Sequence, residues 1–294
     1  MSHQNMSENN HRWDFSDLII GGSPSVQFDF KNAHPQSDIH NQTEQLHEIY
    51  QKCVQQAFGD NSMSNDGIVG KVSTTDFSLA FTDSETGQKV RFRVSAQESV
   101  SSVYFFLRKI NEKIPSLKDQ GFSPALVRRL MDKERKGLIL FGGEMGAGKT
   151  SAANAMIKEW LEQNGGSAIT LEDPPEYLIH GRHGENGGLC VQRQVLAKDM
   201  STEIPKLMRA GAPEIIFLGE IRSRDVAEQA MLAASNGHLV VSTIHGKEIE
   251  GILNRLISMA SSPSLTDEAV RSFLVESLNM VIYQKLNRNP LNAP

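Results

Sequence analysis

Leu138-Ile-Leu-Phe-Gly-Gly-Glu-Met-Gly-Ala-Gly-Lys-Thr150 combines a short apolar strand with a glycine-rich loop. The loop, Gly143 to Thr150, matches the pattern GxxxxGK[ST], and the residues after it predict a helix that begins near position 148. Glycines allow successive backbone N–H groups to face an anion, and the start of a helix adds partial positive charge. The stretch therefore predicts a phosphate-binding loop between a strand and a helix.

Each part of this loop has a predicted role. The Lys149 ammonium is expected to reach the β- and γ-phosphates of a nucleotide, and the Thr150 hydroxyl is expected to ligate Mg²⁺. The alternative for such a pattern is a glycine-rich turn before a helix, but the preceding strand favours the phosphate loop. The predicted nucleotide-binding residues are Gly143, Gly146, Ala147, Gly148, Lys149, Thr150 and Ser151.

The second half of the chain alternates apolar strands with amphipathic helices. Strands are predicted over residues 137–141, 168–171, 214–218 and 238–244, with helices beginning near positions 148, 225 and 248, and a final helix from Val270 through Leu286. Continuous apolar strands separated by helices predict a parallel sheet covered by helices on both faces. We therefore expect an α/β domain over residues 123–294, preceded by a linker over residues 115–122.

Three of these strands are followed by polar side chains. Ligands of a parallel sheet bind at the carboxyl ends of its strands, so the polar residues Glu172, Glu220 and His245 are candidate site residues. Glu172 is expected to polarise a water or to hold Mg²⁺ through water, and Glu220 to lie near Mg²⁺ and the attacking water. His245 is expected to hydrogen-bond the γ-phosphate. The plainer interpretation of Glu172 is an ordinary acidic loop, and that of Glu220 is an unremarkable acid in a helix N-cap region. The plainer interpretation of His245 is a hydrogen-bonded histidine at the sheet edge.

The first half predicts a smaller α+β domain over residues 14–114, after a disordered leader over residues 1–13. The expected elements are strands over residues 17–20 and 26–30, a helix over residues 46–57, a hairpin formed by residues 77–81 and 90–94, and a helix over residues 100–110. Cys53 and Cys190 are expected to be packing residues, since they form neither a CxxC pair nor a disulfide framework.

Composition limits the function classes. Thirty Lys and Arg against 35 Asp and Glu give a net charge of −5, which argues against a strongly basic nucleic-acid protein, although a local basic patch stays open. No apolar run approaches the roughly 18 residues that span a bilayer, and Met1 to Arg12 lacks the apolar core of a signal peptide. We expect a cytoplasmic protein that reaches a membrane through a partner.

The motifs together resemble the secretion and pilus motor ATPases, in particular their PilT-like branch. Four segments occur in the family's order: the phosphate loop, the Asp box Ile169-Thr-Leu-Glu-Asp-Pro-Pro-Glu176, the Walker B strand end Leu218-Gly-Glu-Ile-Arg222, and the His box Gly237-His-Leu-Val-Val-Ser-Thr-Ile-His245. Asp76-Phe-Ser78 and Arg91-Phe-Arg-Val94 resemble the PAS-like N-terminal domain of such motors. The similarity covers roughly residues 14–286.

This resemblance implies a RecA-like ATPase domain behind a PAS-like domain, in a hexameric ring that holds ATP between the domains. It implies that Glu172 is the catalytic acid or base, that Glu220 is the Walker B residue near Mg²⁺, and that Arg93 and Arg108 reach the nucleotide. The implied partners are further copies of the chain and an inner-membrane platform protein, with peripheral membrane association and no direct nucleic acid.

The implied function is an ATP-hydrolysing ring motor that powers a type IV pilus or a type II/IV secretion machine. The alternative is a weakly hydrolysing, nucleotide-binding regulatory subunit of such a machine. Ser101 stands where PilT-like sequences usually carry another arginine, and little sequence follows the last predicted helix, so both features motivate the alternative. A RecA-like nucleic-acid motor is weaker, because the net charge is negative and no basic run with interleaved aromatics occurs.

Overall fold

In a computed structural model, the described part of the chain contains a five-stranded sheet in its first half and a seven-stranded sheet in its second half. The structure describes residues 13, 15–21, 27–31, 43–58, 63–64, 67–68, 75–84, 86–99, 102–110, 113–209, 213–263 and 265–286. The chain divides into residues 1–111 and residues 112–294, and each unit is described by itself. The predicted leader, except Trp13, and Ser101 lie outside the described residues.

The first unit is an antiparallel sheet packed against one long helix. Its elements are β1 (Asp17–Gly21), β2 (Gln27–Lys31), α1 (Thr43–Phe58), the short pair β3 (Met63–Ser64) and β4 (Gly67–Ile68), β5 (Asp76–Thr82), β6 (Lys89–Glu98) and β7 (Val103–Lys109). The five-stranded sheet has the order β2-β1-β7-β6-β5. Apolar residues of α1 and of the sheet share one core, in which Trp13 donates its indole N–H to Asp83 at 2.8 Å.

The helix predicted over residues 100–110 is wrong. Residues Val103–Lys109 form β7, which lies between β1 and β6 in the sheet. Val103, Phe105 and Leu107 are buried and the residues between them are more exposed, which is the alternation of a strand with one face on a core. Aromatic and β-branched residues are favoured in strands, and this run contains several of them. Its pairing with β1 and β6 makes it a strand and not a helix.

The second unit is a seven-stranded, mostly parallel sheet between two layers of helices. Its elements are α2 (Pro124–Leu130), β8 (Gly137–Gly143), α3 (Lys149–Asn164), β9 (Ser167–Glu172), β10 (Gly181–His183), β11 (Gly188–Gln194), α4 (Met200–Arg209), β12 (Ile215–Leu218), α5 (Arg224–Ser235), β13 (Leu239–His245), α6 (Ile249–Ala260), α7 (Asp267–Ser277) and β14 (Leu278–Gln284). The order is β10-β11-β9-β12-β13-β8-β14, with β10 alone antiparallel among these described strands.

The sheet buries side chains on both of its faces. Leu138 and Leu140 of β8 join a core with residues of α4, α5, α6 and α7, whereas Ile139 and Phe141 join a core with residues of α2 and α3. Successive side chains of one strand therefore enter opposite cores, which is why the strands are apolar throughout. The predicted α/β class with a parallel sheet covered on both faces is confirmed.

The last predicted helix is wrong beyond residue 277. The helix α7 ends at Ser277, and Leu278–Gln284 form β14, which pairs in parallel with β8 along the edge of the sheet. The sequence also did not predict β10, β11 or α4. Apolar residues near the end of the chain satisfy a helical and a strand spacing equally, and pairing with β8 selects the strand.

Residues 115–122, predicted as a linker, pack on the second unit. The Leu117 side chain is buried in the core that contains α3, and the Leu117 backbone N–H donates to the Glu159 carboxylate at 2.7 Å. The division of the chain falls before this segment, after Asn111. Ser123 then caps α2 by accepting from the Leu126 N–H, with Pro124 in the first turn.

Replacing Phe217 of β12 by alanine should destabilise the second unit. Phe217 is fully buried in the middle of the sheet, so Phe217→Ala should lower the free energy of unfolding by about 3–5 kcal/mol. Val275→Ala is the control, because Val275 is 84% exposed on α7 and its loss should change the free energy by about 0.5 kcal/mol or less. Urea unfolding followed by circular dichroism measures the free energy of unfolding of each variant. Equal unfolding midpoints for the two variants would contradict the placement of Phe217 in the core.

Candidate active site

The glycine-rich loop lies between β8, which ends at Gly143, and α3, which begins at Lys149. Gly148 stands at the start of α3 with a φ of 86°, a conformation that L side chains rarely adopt. At Gly143 a Cβ would lie 2.4 Å from the Gln284 carbonyl oxygen of β14, so no side chain fits there. The loop can therefore wrap its backbone N–H groups around an anion at the start of α3.

Lys149 faces both the loop and two carboxylates. Its Nζ donates to the Glu144 carbonyl oxygen at 2.8 Å, which folds the side chain back over the loop. Burial lowers the pKa of Lys149, while the charges of Glu220 and Glu176 act in the opposite direction. The ammonium is thus positioned near the space in front of the loop, where the phosphates of a nucleotide would need a cation.

Backbone pairing brings the other strand ends to the same edge as the loop. His245 lies opposite Gly143 in the register of β13 and β8. The Ile221 N–H donates to the Thr243 carbonyl at 3.0 Å, and the Gly219 N–H donates to the Leu171 carbonyl at 2.9 Å. The residues that follow β9, β12 and β13 therefore lie in a row that ends at the phosphate loop.

Glu220 is part of a charged cluster. Its Oε2 is 2.7 Å from Nη2 of Arg222, and this contact raises the pKa of the Arg222 guanidinium. The charges of Asp173 and Glu176 act on Arg222 in the same direction. Glu220 is only partly buried, so its ion pair can exchange with solvent or with another cation.

Glu172 is the buried acid of the site, with 2% of its surface exposed. Burial raises its pKa to about 7, while hydrogen bonds from Thr170 and Gln192 lower it. A Cβ at Gly219 would lie 3.4 Å from Cγ of Glu172, which is an ordinary van der Waals distance, so the end of β12 lies directly beside Glu172.

A cleft opens beside the loop within the second unit. It has a volume of about 500 Å³ and is bordered by Ala147 and Gly148 of the loop. Residues 119–123 form one wall and residues 282–286 form the other. This volume lies within the usual range for small-ligand sites, and its position next to the loop suits the nucleoside part of a nucleotide.

Arg93 and Arg108 are neighbours within the first unit. They lie opposite each other in the register of β6 and β7. Together with Lys31 they line a hollow of about 240 Å³, and the Arg108 side chain pairs with Asp17 at 2.8 Å. The two predicted arginines thus share one cationic face of the first sheet.

The predicted magnesium ligands are compatible with that ion. Mg²⁺ usually takes one or two protein oxygens and completes its shell with phosphate oxygens and water. Thr150 in the first turn of α3 and the carboxylate of Glu220 are donors of this kind. Among the described residues, no group of three or more His, Cys, Asp and Glu side chains forms a self-sufficient metal site.

Four residues of the site were not predicted as site residues. Glu176 lies close enough to influence Lys149 and Glu172, and Arg222 pairs with Glu220. Thr170 and Gln192 hydrogen-bond Glu172. Glu176 lies in the Asp box and Arg222 in the Walker B segment, so their positions in these motifs could have identified them as site residues. The contact between Gln192 and Glu172 depends on the pairing of β11 with β9, which the sequence does not reveal.

The chain is similar in sequence to proteins of secretion and pilus systems. A model of the family described as "Type II/IV secretion system protein" matches residues 63–292. The type IV pilus ATPase PilU of Pseudomonas aeruginosa is 35% identical over 57% of the chain and 42% of its own length. The type IV pilus retraction ATPase PilT of the same organism is 30% identical over 72% of the chain and 58% of its own length. The chain thus spans about half the length of these curated relatives.

A solved structure supports the fold. The crystal structure of the pilus retraction motor PilT with bound ADP superposes with a TM-score of 0.65, covering 92% of this chain and 74% of that one at 24% identity. This similarity shows a shared fold. In addition, none of the helices in the described part of the chain is long and apolar enough to cross a membrane.

The raised pKa of Glu172 makes stability depend on pH. The carboxyl titrates near 4.5 in an unfolded chain and near 7 in the folded protein. Between these values only the folded state holds the proton, so the free energy of unfolding falls as pH rises from 4.5 to 7. Glu172→Gln should not show this decline, because a carboxamide does not titrate in this range. The free energy of unfolding of the variant, measured relative to that of wild type, should therefore increase by on the order of 3 kcal/mol between about pH 5 and about pH 8.

Denaturant unfolding at a series of pH values measures this effect. Glu250→Gln, a substitution at an exposed position of α6, is the matched control and should keep the wild-type dependence. A constant stability difference between Glu172→Gln and wild type at all pH values would show that Glu172 does not titrate as described.

Proposed function

The chain belongs to the type II/IV secretion system protein family, and from this premise we propose that it is an Mg²⁺-dependent ATPase that powers a type IV pilus or a type II/IV secretion machine. The observation that carries the proposal is the convergence of Glu172, Glu220 and His245 on the sheet edge that holds the phosphate loop. The names of the pilus ATPases among the relatives support the same activity.

The loop and the adjacent cleft would bind the nucleotide. Backbone N–H groups of residues 143–151 and the start of α3 offer positive charge to the phosphates. Lys149 exchanges its contact with the Glu144 carbonyl for the β- and γ-phosphates. The cleft bordered by residues 119–123 and 282–286 holds the base and ribose.

We assign the general base to Glu172 and the metal-side carboxylate to Glu220. A base works best when its pKa is near the working pH, and burial places Glu172 at about 7. Glu220 and Thr150 would hold Mg²⁺, which supplies charge neutralisation on the phosphate oxygens when bound. Glu172 would accept a proton from the water whose oxygen bonds to the γ-phosphorus, while the bond from that phosphorus to the β–γ bridging oxygen breaks and ADP leaves. Lys149 would stabilise the charge that develops on the phosphate oxygens.

Three further residues would report the state of the phosphate. His245, at the end of β13, hydrogen-bonds the γ-phosphate and responds to its loss. Arg93 and Arg108 provide guanidinium groups that stabilise transition-state charge and couple the first unit to nucleotide turnover. These roles follow from the resemblance to the motor family and from the chemistry of the side chains.

The assembly completes the proposal. We propose a hexameric ring of this chain, with a PAS-like first unit and a RecA-like second unit. The ring would lie in the cytoplasm, peripheral to the inner membrane and held there by a platform protein, without direct nucleic-acid contact. A weakly hydrolysing regulatory subunit is the alternative, because Ser101 replaces an arginine expected for the family.

Two substitutions separate binding from turnover. Lys149→Ala should lower ATP affinity by about 100-fold, because it removes the cation at the phosphates. Glu220→Gln should keep ATP affinity within about threefold and lower kcat by about 100-fold or more. Chelation of Mg²⁺ should abolish turnover. Fluorescent-nucleotide binding and steady-state phosphate release measure these quantities.

Lys158→Ala is the matched control for the lysine substitution. Lys158 lies on the same helix, α3, in an exposed pair with Glu162, so its loss should leave affinity and kcat near wild type. Normal hydrolysis by both site variants would refute the site assignment. Tight binding with negligible turnover in the wild type would favour the regulatory subunit.

A further inference from the structure

Two side chains donate to the same oxygen of Glu172. The Thr170 hydroxyl donates to Oε1 at 2.7 Å, and Nε2 of Gln192 donates to Oε1 at 3.0 Å. Thr170 and Gln192 are direct partners in the register of β9 and β11. The two donors therefore come from adjacent strands and meet at one carboxylate oxygen.

Backbone contacts fix the orientation of the Gln192 carboxamide. Its Oε1 accepts from the Ile179 N–H at 2.7 Å, and its Nε2 also donates to the Tyr177 carbonyl at 3.0 Å. A flipped amide would place its NH₂ against the Ile179 N–H and its oxygen against the Tyr177 carbonyl, which would break both bonds. Gln192 is thus a rigid donor, aimed at Glu172 by the segment that follows the Asp box.

The surroundings of Glu172 make these donors important. Glu176 is close enough for its charge to disfavour the ionised form, and β11 presents Cys190, a neutral thiol because burial raises its pKa to about 12. On the β12 side Gly219 offers no side chain. Backbone hydrogen bonding at Glu176 favours the carboxylate, as do Thr170 and Gln192, so these donors offset its burial.

We infer that Thr170 and Gln192 are positioning residues that hold the Glu172 carboxylate in its working orientation. The inference rests on the proposed function, since it presumes that Glu172 is the base. A carboxylate is planar, so two bonds that fix Oε1 also fix the direction of Oε2. The pair would keep the base ionised and aimed, without touching the nucleotide.

The test compares Thr170→Val, which keeps the shape and removes the hydroxyl, with Thr170→Ser, which keeps the hydroxyl. Gln192→Met removes the carboxamide and keeps the length. Thr170→Val and Gln192→Met should each lower kcat by about tenfold or more, with KM and ADP affinity within about twofold of wild type. The acid limb of the kcat–pH profile should move to higher pH, and Thr170→Ser should retain kcat within about threefold.

Controls distinguish this inference from the proposed function. Ser242→Ala removes another buried hydroxyl, which donates to the Leu218 carbonyl at 2.7 Å, and should leave the acid limb in place. If Glu172→Gln keeps full turnover, the assignment of the base fails. If Glu172→Gln is inactive but Thr170→Val and Gln192→Met match wild type in kcat and pH profile, the positioning role alone is refuted.

Two further outcomes bear on the inference. An increase of kcat in Thr170→Val or Gln192→Met would also overturn it, because the pair would then hold the carboxylate back. ADP affinity and the thermal midpoint report whether each variant is folded. If Thr170→Val fails to fold, the acid limb of the kcat–pH profile of Gln192→Met is compared with that of Thr170→Ser. The inference then requires the acid limb of Gln192→Met to lie at higher pH, and equal positions would overturn it.

Discussion

The parallel pairing of β13 with both β12 and β8 is the constraint on which the site depends. It separates the Walker B strand end from the phosphate loop by one strand and aligns His245 with Gly143. The Thr243 hydroxyl on β13 donates to the Gly219 carbonyl at 2.7 Å, beside the point where β12 ends. The proposed phosphate loop thereby lies at the same sheet edge as acids from strands that are distant in sequence.

The site also balances buried charge. Glu172 is taken out of water, which disfavours its ionised form, and donors from β9 and β11 partly offset this effect. Glu220 stays closer to solvent and pairs with Arg222. Two carboxyl groups at one sheet edge therefore have different environments, which is the condition under which one can act as a base and the other can face a cation.

Contiguous features of this fold could be predicted from the sequence, and pairing between distant segments could not. The strand, the phosphate loop and the helix follow one another directly in the chain, so their order could be predicted from the sequence. The prediction of helices was wrong for Val103–Lys109 and for Leu278–Gln284, because the spacing of their apolar residues fits both a helix and a strand. Pairing with β1 and β6 makes the first segment a strand, and pairing with β8 does so for the second. The donation from Gln192 to Glu172 depends on the register of β11 with β9, which no local pattern encodes.

The specific rate of ATP hydrolysis as a function of protein concentration tests the central claim most directly. If the chain hydrolyses ATP as a ring in which neighbours complete the site, the rate per subunit should rise with concentration and then level off, and the plateau should require Mg²⁺. A rate per subunit that is independent of concentration would contradict the ring, and a negligible rate at every concentration, with ATP bound, would contradict the motor.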